Sequence, residues 1–239
     1  FLEAVRAAAD KPARLSADQV LVIAASREAA NALRDDLAIS LQQATPGALA
    51  RTLTSFAFAV MRTKAIAEGK PLPELISGSE QDRILAEIIA RHLAADKEET
   101  GKASAWPKHI NAQVMQLNGF RAELRDLITV CLEHGINPDE LGALGAQQKK
   151  PEWVAASLML AEYLLLVSET EFENRFDTTM LLRKAADWLL ALAEWPTAIA
   201  AISLVLVDDA QELTPAASHL LKTLTSRGAE LVLVGDPDA

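Results

Sequence analysis

The chain has 239 residues, half of them apolar and 5% aromatic, with a net charge of −10. That length supports one large domain or two modest ones whose cores need no disulfide or metal. The single cysteine, Cys131, excludes an internal disulfide and fits a reducing cytoplasm, and the longest apolar run, 198–207, is too short to span a membrane. The acidity argues against a nucleic-acid footprint spread over the whole molecule.

Residues 1–9 read as a helix with no start signal ahead of it, so the natural chain is expected to begin upstream. Residues 19–24 (QVLVIA) are a short continuous apolar run of the buried-strand kind. Over 26–41, Ala29, Ala30, Leu33, Leu37 and Leu41 recur at helical spacing behind a capping Ser26. Thr45-Pro46-Gly47 predicts a turn, 48–53 a second strand and 55–67 a helix, closed by Gly and Pro over 69–73. Charge departs locally from the average here, since 51–70 carries Arg51, Arg62, Lys64 and Lys70 against one acid, Glu68.

From 77 to 194 the pattern predicts helices and no strand. A helix over 79–94 opens with a capping serine and carries Glu80 and Asp82 in its first turn. Residues 96–108 read as a polar loop, and further helices are expected over 110–134, 151–172 and 178–193. Gly135-Ile136-Asn137-Pro138 and residues 142–150 read as separators. Alternation then returns: a buried strand over 201–207, a helix over 214–225 with Pro215 in its first turn, and a strand over 230–234. Strands at both ends with helices between them predict an α/β parallel sheet, with the all-helical middle inserted into it. The expected division is 1–76 with 195–239 for the sheet domain, and 77–194 for the insertion.

Residues 205–215 (VLVDDAQELTP) carry the sharpest chemistry. A buried strand ends in Asp208 and Asp209, with Gln211 and Glu212 just beyond, and open parallel sheets bind ligands past the carboxyl ends of their strands. A carboxylate there can hold Mg²⁺, mostly through water, while its neighbour orients or deprotonates a hydrolytic water. The competing reading is a helix cap with solvated charge. The next strand ends in Gly235-Asp236-Pro237-Asp238. If the two strands are neighbours, Asp208, Asp209 and Asp236 share one edge of the sheet; if the acid pairs are only turns, those ends are not adjacent. His92, His109, His134 and His219 are far apart in the sequence and have no metal-ligand spacing.

The pair VDDAQELTP and LVGDPDA resembles motifs II and III of the superfamily 1 DNA helicases of the UvrD/PcrA/Rep type, usually VDE-x-QD-x-(T/S)P and GD-x-DQ. LVIAASREAANALRDDL is similar to their motif Ia, and TLTSFAFAVMR to motif Ib. The resemblance implies a RecA-like P-loop NTPase sheet (1A) with a helical 1B insertion, working on ATP and Mg²⁺. It casts Asp208 as the Mg²⁺-associated acid, Asp209 as the catalytic acid with Gln211 beside it, and Gly235, Asp236 and Asp238 as motif III. It makes Ser26, Arg27, Thr52, Thr54, Ser55 and Phe56 the DNA contacts, where hydroxyls, amides and arginine suit phosphates and an aromatic suits a base. Taken singly, Phe56 and Phe58 also fit core packing. Single-stranded or tailed duplex DNA is the implied partner.

Within the helical block, ISGSEQDRILAEII, FRAELRDLITVCLEHGINPDEL and PEWVAASLMLAEYL look most like the AdnA kind of actinobacterial recombination helicase–nuclease. That likeness brings a second helicase–nuclease subunit into view as a partner.

The sequence also departs from the family pattern. No Gly-rich loop ending in Lys-Thr occurs in it, so this chain alone is expected to bind ATP weakly or not at all. Asp209 stands where Glu is usual, Ala239 where a Gln senses phosphate, and Ala25 and Thr54 where an aromatic and a His are usual. Two readings follow: a working ATP-dependent helicase of repair or recombination, or a degenerate subunit serving as a DNA-binding scaffold for a partner motor.

Overall fold

The computed structural model describes residues 15–41, 50–97, 106–168 and 174–236. The helix expected at 1–9, the turn at 45–47, and Asp238 and Ala239 lie outside these residues. The chain forms two compact units, Phe1–Gly69 with Leu181–Ala239, and Lys70–Met180.

The first unit is built on strands β1 (Val20–Ile23), β2 (Ala50–Arg51), β5 (Leu204–Val207) and β6 (Glu230–Leu233). All pair in parallel, in the order β2-β1-β5-β6. Each central strand is apolar throughout because both of its faces are covered. Val22, Ala50, Leu204 and Leu206 pack on one face with Leu33 and Leu37 of helix α1 (Arg27–Leu41). Side-chain alternation sends Leu21, Ile23, Val205 and Val207 to the other face, and all four are buried. Helix α2 (Leu53–Glu68) follows β2 and ends at Gly69, whose left-handed φ of 65° closes it. Helix α10 (Pro215–Thr225) joins β5 to β6 and buries Ala216, Ala217, Leu220, Leu221 and Leu224.

The second unit is helical: α3 (Gly78–Lys97), α4 (Ala112–Met115), α5 (Asn118–His134), α6 (Pro138–Gln147) and α7 (Pro151–Ser168). Ile84, Leu85, Ile88, Met159, Leu160 and Tyr163 sit at the centre of its core. Tyr163 is wholly buried, so its hydroxyl needs a partner. It donates to Asp177 at 3.2 Å and accepts from Gln81 at 3.3 Å. Burial, then the nearby charge of Asp177, pushes the tyrosine hydroxyl upward; burial also raises the Asp177 carboxyl. Helix α8 (Thr178–Ala191) begins on Asp177, which accepts the Met180 N–H at 2.7 Å. The boundary between the units falls within α8, so its residues from Leu181 onward belong to the first unit. The short helix α9 (Thr197–Ala200) then leads to β5.

Between residues 74 and 176 the structure differs from the sequence pattern in four places. A strand does occur between 77 and 194: β4 (Arg175–Phe176) pairs in parallel with β3 (Glu74–Leu75). Two-residue strands carry no periodicity, and this pair rests on backbone bonds of 2.9 Å from Glu74 to Asn174 and from Ile76 to Phe176. Arg175 bridges Glu74 and Glu80 beside it. Second, residues 138–147 are helical despite Gly142 and Gly145. Asn137 and Glu140 form a reciprocal capping box with both bonds at 2.9 Å. Gly145 fits because a Cβ there would lie 2.8 Å from the Val154 backbone nitrogen of α7. Third, the helix expected over 110–134 breaks before Asn118, with Asn111 capping the short α4. Fourth, α3 starts at Gly78, one residue before the expected start, and is capped by Ser77, which exchanges bonds with Glu80 at 3.3 and 2.9 Å.

Candidate functional site

The register puts Arg51, Ile23, Val207 and Leu233 in one row across the sheet. The residues that follow therefore emerge together at its carboxyl edge. Three backbone bonds extend the ladder by one step: Ala24 N–H to Arg51, Asp208 N–H to Ile23 and Val234 N–H to Val207, at 3.1, 2.9 and 2.8 Å. Thr52, Ser26, Asp208 and Gly235 thus follow adjacent strands, and neighbouring strands in a sheet lie about 4.8 Å apart.

Asp208 is half-buried and Asp209 exposed. Asp209 has left-handed backbone angles, φ 51° and ψ 48°, a conformation that Asp tolerates better than most residues. It opens a 3-10 turn, Ala210–Glu212, held to β6 by the Ala210 N–H donating to Val234 at 2.9 Å. The exposed Gln211 accepts the Asp236 N–H at 3.2 Å. β5 and β6 are hydrogen-bonded neighbours, so the two acid-bearing strand ends are adjacent, which the reading of unrelated turns did not expect. Among the described residues no group of three or more His, Cys, Asp or Glu side chains is disposed to hold a metal. The described acids of this edge therefore form no all-protein metal cage. Oxygen donors such as Asp208 suit Mg²⁺, which needs only one or two carboxylates when phosphates complete its shell.

The other motif residues gather at the same edge. Ser26 is exposed and caps α1, its Oγ accepting the Ala29 N–H at 3.0 Å. Thr52 caps α2, accepting the Ser55 N–H at 3.2 Å. Both hydroxyls keep a hydrogen to donate, and both helices aim their positive N-terminal ends at this edge. Arg27 and Ser55 are exposed, and Thr54 is half-buried. Phe56 is only 4% exposed and packs in the interior, so its ring is not presented for stacking. Helical spacing accounts for this: Leu53, Phe56, Ala57 and Val60 share the buried face of α2.

The sequence reading did not single out Arg34. Its Nε donates to the Ala50 carbonyl at 2.7 Å. Burial, then the charge of Arg34, lowers the Arg51 guanidinium from its usual value. The charge of Arg34 thus reaches Arg51 from another element, which a linear charge count cannot show.

A parallel sheet whose carboxyl edge collects acids on one pair of strands and capped helix N-termini on the other makes this an α/β domain, a class whose ligands bind beyond the strand ends. The chain belongs to the UvrD/REP helicase N-terminal domain family, whose model matches residues 7–239. No curated protein matches it.

Proposed function

We propose that this chain is the first motor domain of an ATP-dependent DNA helicase or translocase, with a RecA-like 1A sheet domain carrying a helical 1B insertion. The observation that carries the reading is the adjacency of the two acid-bearing strand ends, linked by the Gln211–Asp236 bond. Asp208, fixed by its backbone bond to β1, is the carboxylate suited to Mg²⁺, mostly through water. When bound, the metal and ATP supply the electrophilic phosphoryl group and neutralise its charge. Asp209 orients and accepts a proton from the hydrolytic water, with Gln211 beside it. Gly235 and Asp236 form the wall toward β6, and Asp238 continues that motif. Ser26, Arg27, Thr52, Thr54 and Ser55 hold the phosphates of single-stranded or tailed duplex DNA. Sequence likeness within the helical unit supports an AdnA-like role in cytoplasmic repair or recombination, with a second helicase–nuclease subunit as partner.

No Gly-rich loop ending in Lys-Thr occurs in these 239 residues, so this chain by itself is expected to bind ATP weakly. A second reading, a degenerate scaffold subunit, is favoured by Asp209, whose carboxylate is one methylene shorter than the usual Glu. DNA-stimulated ATP hydrolysis by the full-length protein separates the two. Hydrolysis abolished by Asp208→Ala supports a working motor, whereas DNA binding without hydrolysis in the wild type supports the scaffold.

A further inference from the structure

We propose that Gln211 is a positioning residue: one planar amide that fixes the carboxylate of Asp209 against the loop following β6, so that the two strand ends act as one piece. The proposal rests on the motor reading given above. The backbone N–H of Asp236 can only donate, so it identifies the end of the Gln211 amide it meets, at 3.2 Å, as the oxygen. The opposite end is then the NH₂ group, and it donates to Asp209 Oδ1 over a longer 3.4 Å. The turn bearing both side chains is pinned at each end, by Ala210 N–H to Val234 and by Glu212 N–H to Asp209, both at 2.9 Å.

Two features give this bridge its importance. Asp209 leaves β5 in a left-handed conformation, so its carboxylate is not aimed by the regular strand geometry. Gly235 supplies the space in which the amide sits, because a Cβ at that position would lie 2.6 Å from the Gln211 oxygen and 3.3 Å from the Ala210 nitrogen. A side chain at 235 must displace the amide, and displacing the amide releases Asp209. A shift of the Asp236 loop is felt at Asp209 by the same route, through one bond on each side of a rigid group.

The test uses the full-length protein, with DNA-stimulated ATP turnover measured between about pH 5.5 and pH 8. Gln211→Glu keeps the size of the side chain and its acceptor toward Asp236, but turns a carboxylate toward Asp209. Protonation of that new carboxylate restores the donor. The expected result is a kcat lower by about tenfold at the alkaline end, with KM for ATP changed less than about twofold, and a deficit that shrinks as pH falls. A deficit that is flat with pH, or one confined to KM, overturns the proposal. Gly235→Ala should reproduce the loss seen in Gln211→Ala, and the double variant should be no worse than Gln211→Ala alone; losses that multiply overturn it.

Asp208→Ala, run beside these, tests the motor reading itself. Retained turnover there sinks that reading, whereas its loss together with a wild-type-like Gln211→Glu sinks only the bridge. If the wild type shows no turnover, hydrogen exchange decides the bridge: the Asp236 amide must exchange severalfold faster in Gln211→Ala, and an unchanged rate overturns it.

Discussion

Phe56 and Arg27 stand on the same edge of the sheet and answer to different forces. The Phe56 ring is buried with the apolar face of α2, so Phe56→Ala should cost about 3–5 kcal/mol in a denaturant titration. Arg27 is exposed at the start of α1, and Arg27→Ala should move stability by less than about 0.5 kcal/mol. Its effect should appear in DNA affinity measured against salt, where losing one phosphate contact lowers the slope by about one unit. An unchanged salt slope would remove Arg27 from the DNA surface. Phe56 also marks a limit of motif reading. A motif assigns a residue to a function, but helical phase decides which way its side chain points.

Among the elements, α3 offers the clearest pH dependence. The Ser77 backbone bond, then the bonds from Arg175 and the Ser77 hydroxyl, hold the Glu80 carboxyl at about 2, below its ordinary 4.5. A depressed carboxyl stabilises the fold above its unfolded value, and the contribution fades as pH drops from about 4.5 toward 2. Asp177 has the opposite sign. Its carboxyl is raised above 3.8 by burial, so its contribution is fullest below 3.8 and declines as pH rises through the raised value. Acid titration of Glu80→Gln should therefore lose less stability between pH 4.5 and pH 2 than the wild type; equal acid sensitivity would mean that the Glu80 bonds are not maintained in solution.

The capping box of α6 was legible in principle, since Asn137 and Glu140 have the right spacing, but Gly142 and Gly145 read as breakers. What overrides their low helix propensity is the close approach of α7, a tertiary fact. Asn137→Ala should cost about 1 kcal/mol, measurable as a lower thermal midpoint. The β3–β4 pair was illegible for a different reason. A two-residue strand declares itself only through a partner, here about a hundred positions away in the chain.

At the scale of the whole molecule, the long-range pattern was the most readable part. Apolar runs at 19–24 and 201–207 marked the central strands because parallel strands covered on both faces cannot alternate, and the run at 230–234 marked the edge strand β6, which is only partly buried. The acid-bearing strand ends share one edge only if β5 and β6 are neighbours, a condition the sequence left open and the parallel pairing of the two strands meets. The units carry separate cores, one around Tyr163 and Met159 and one around Val22 and Leu206. Met159 is wholly buried, so Met159→Ala should cost about 2–5 kcal/mol. Calorimetry should show that loss in one thermal transition with the other left in place. A common shift of both would mean that the units melt as one.

The β3–β4 pair has a consequence for lineage. It holds the two ends of the helical stretch side by side, with Glu74 opposite Arg175 and Leu75 opposite Phe176. Chain spliced between two points already held together adds little closure cost, about 0.6 kcal/mol for each doubling of its length. Descent can therefore lengthen, trim or exchange everything between those strands while the sheet and its acid edge stay as they are. Related chains should accordingly vary most in length between positions 76 and 174, and least in the short strands on either side.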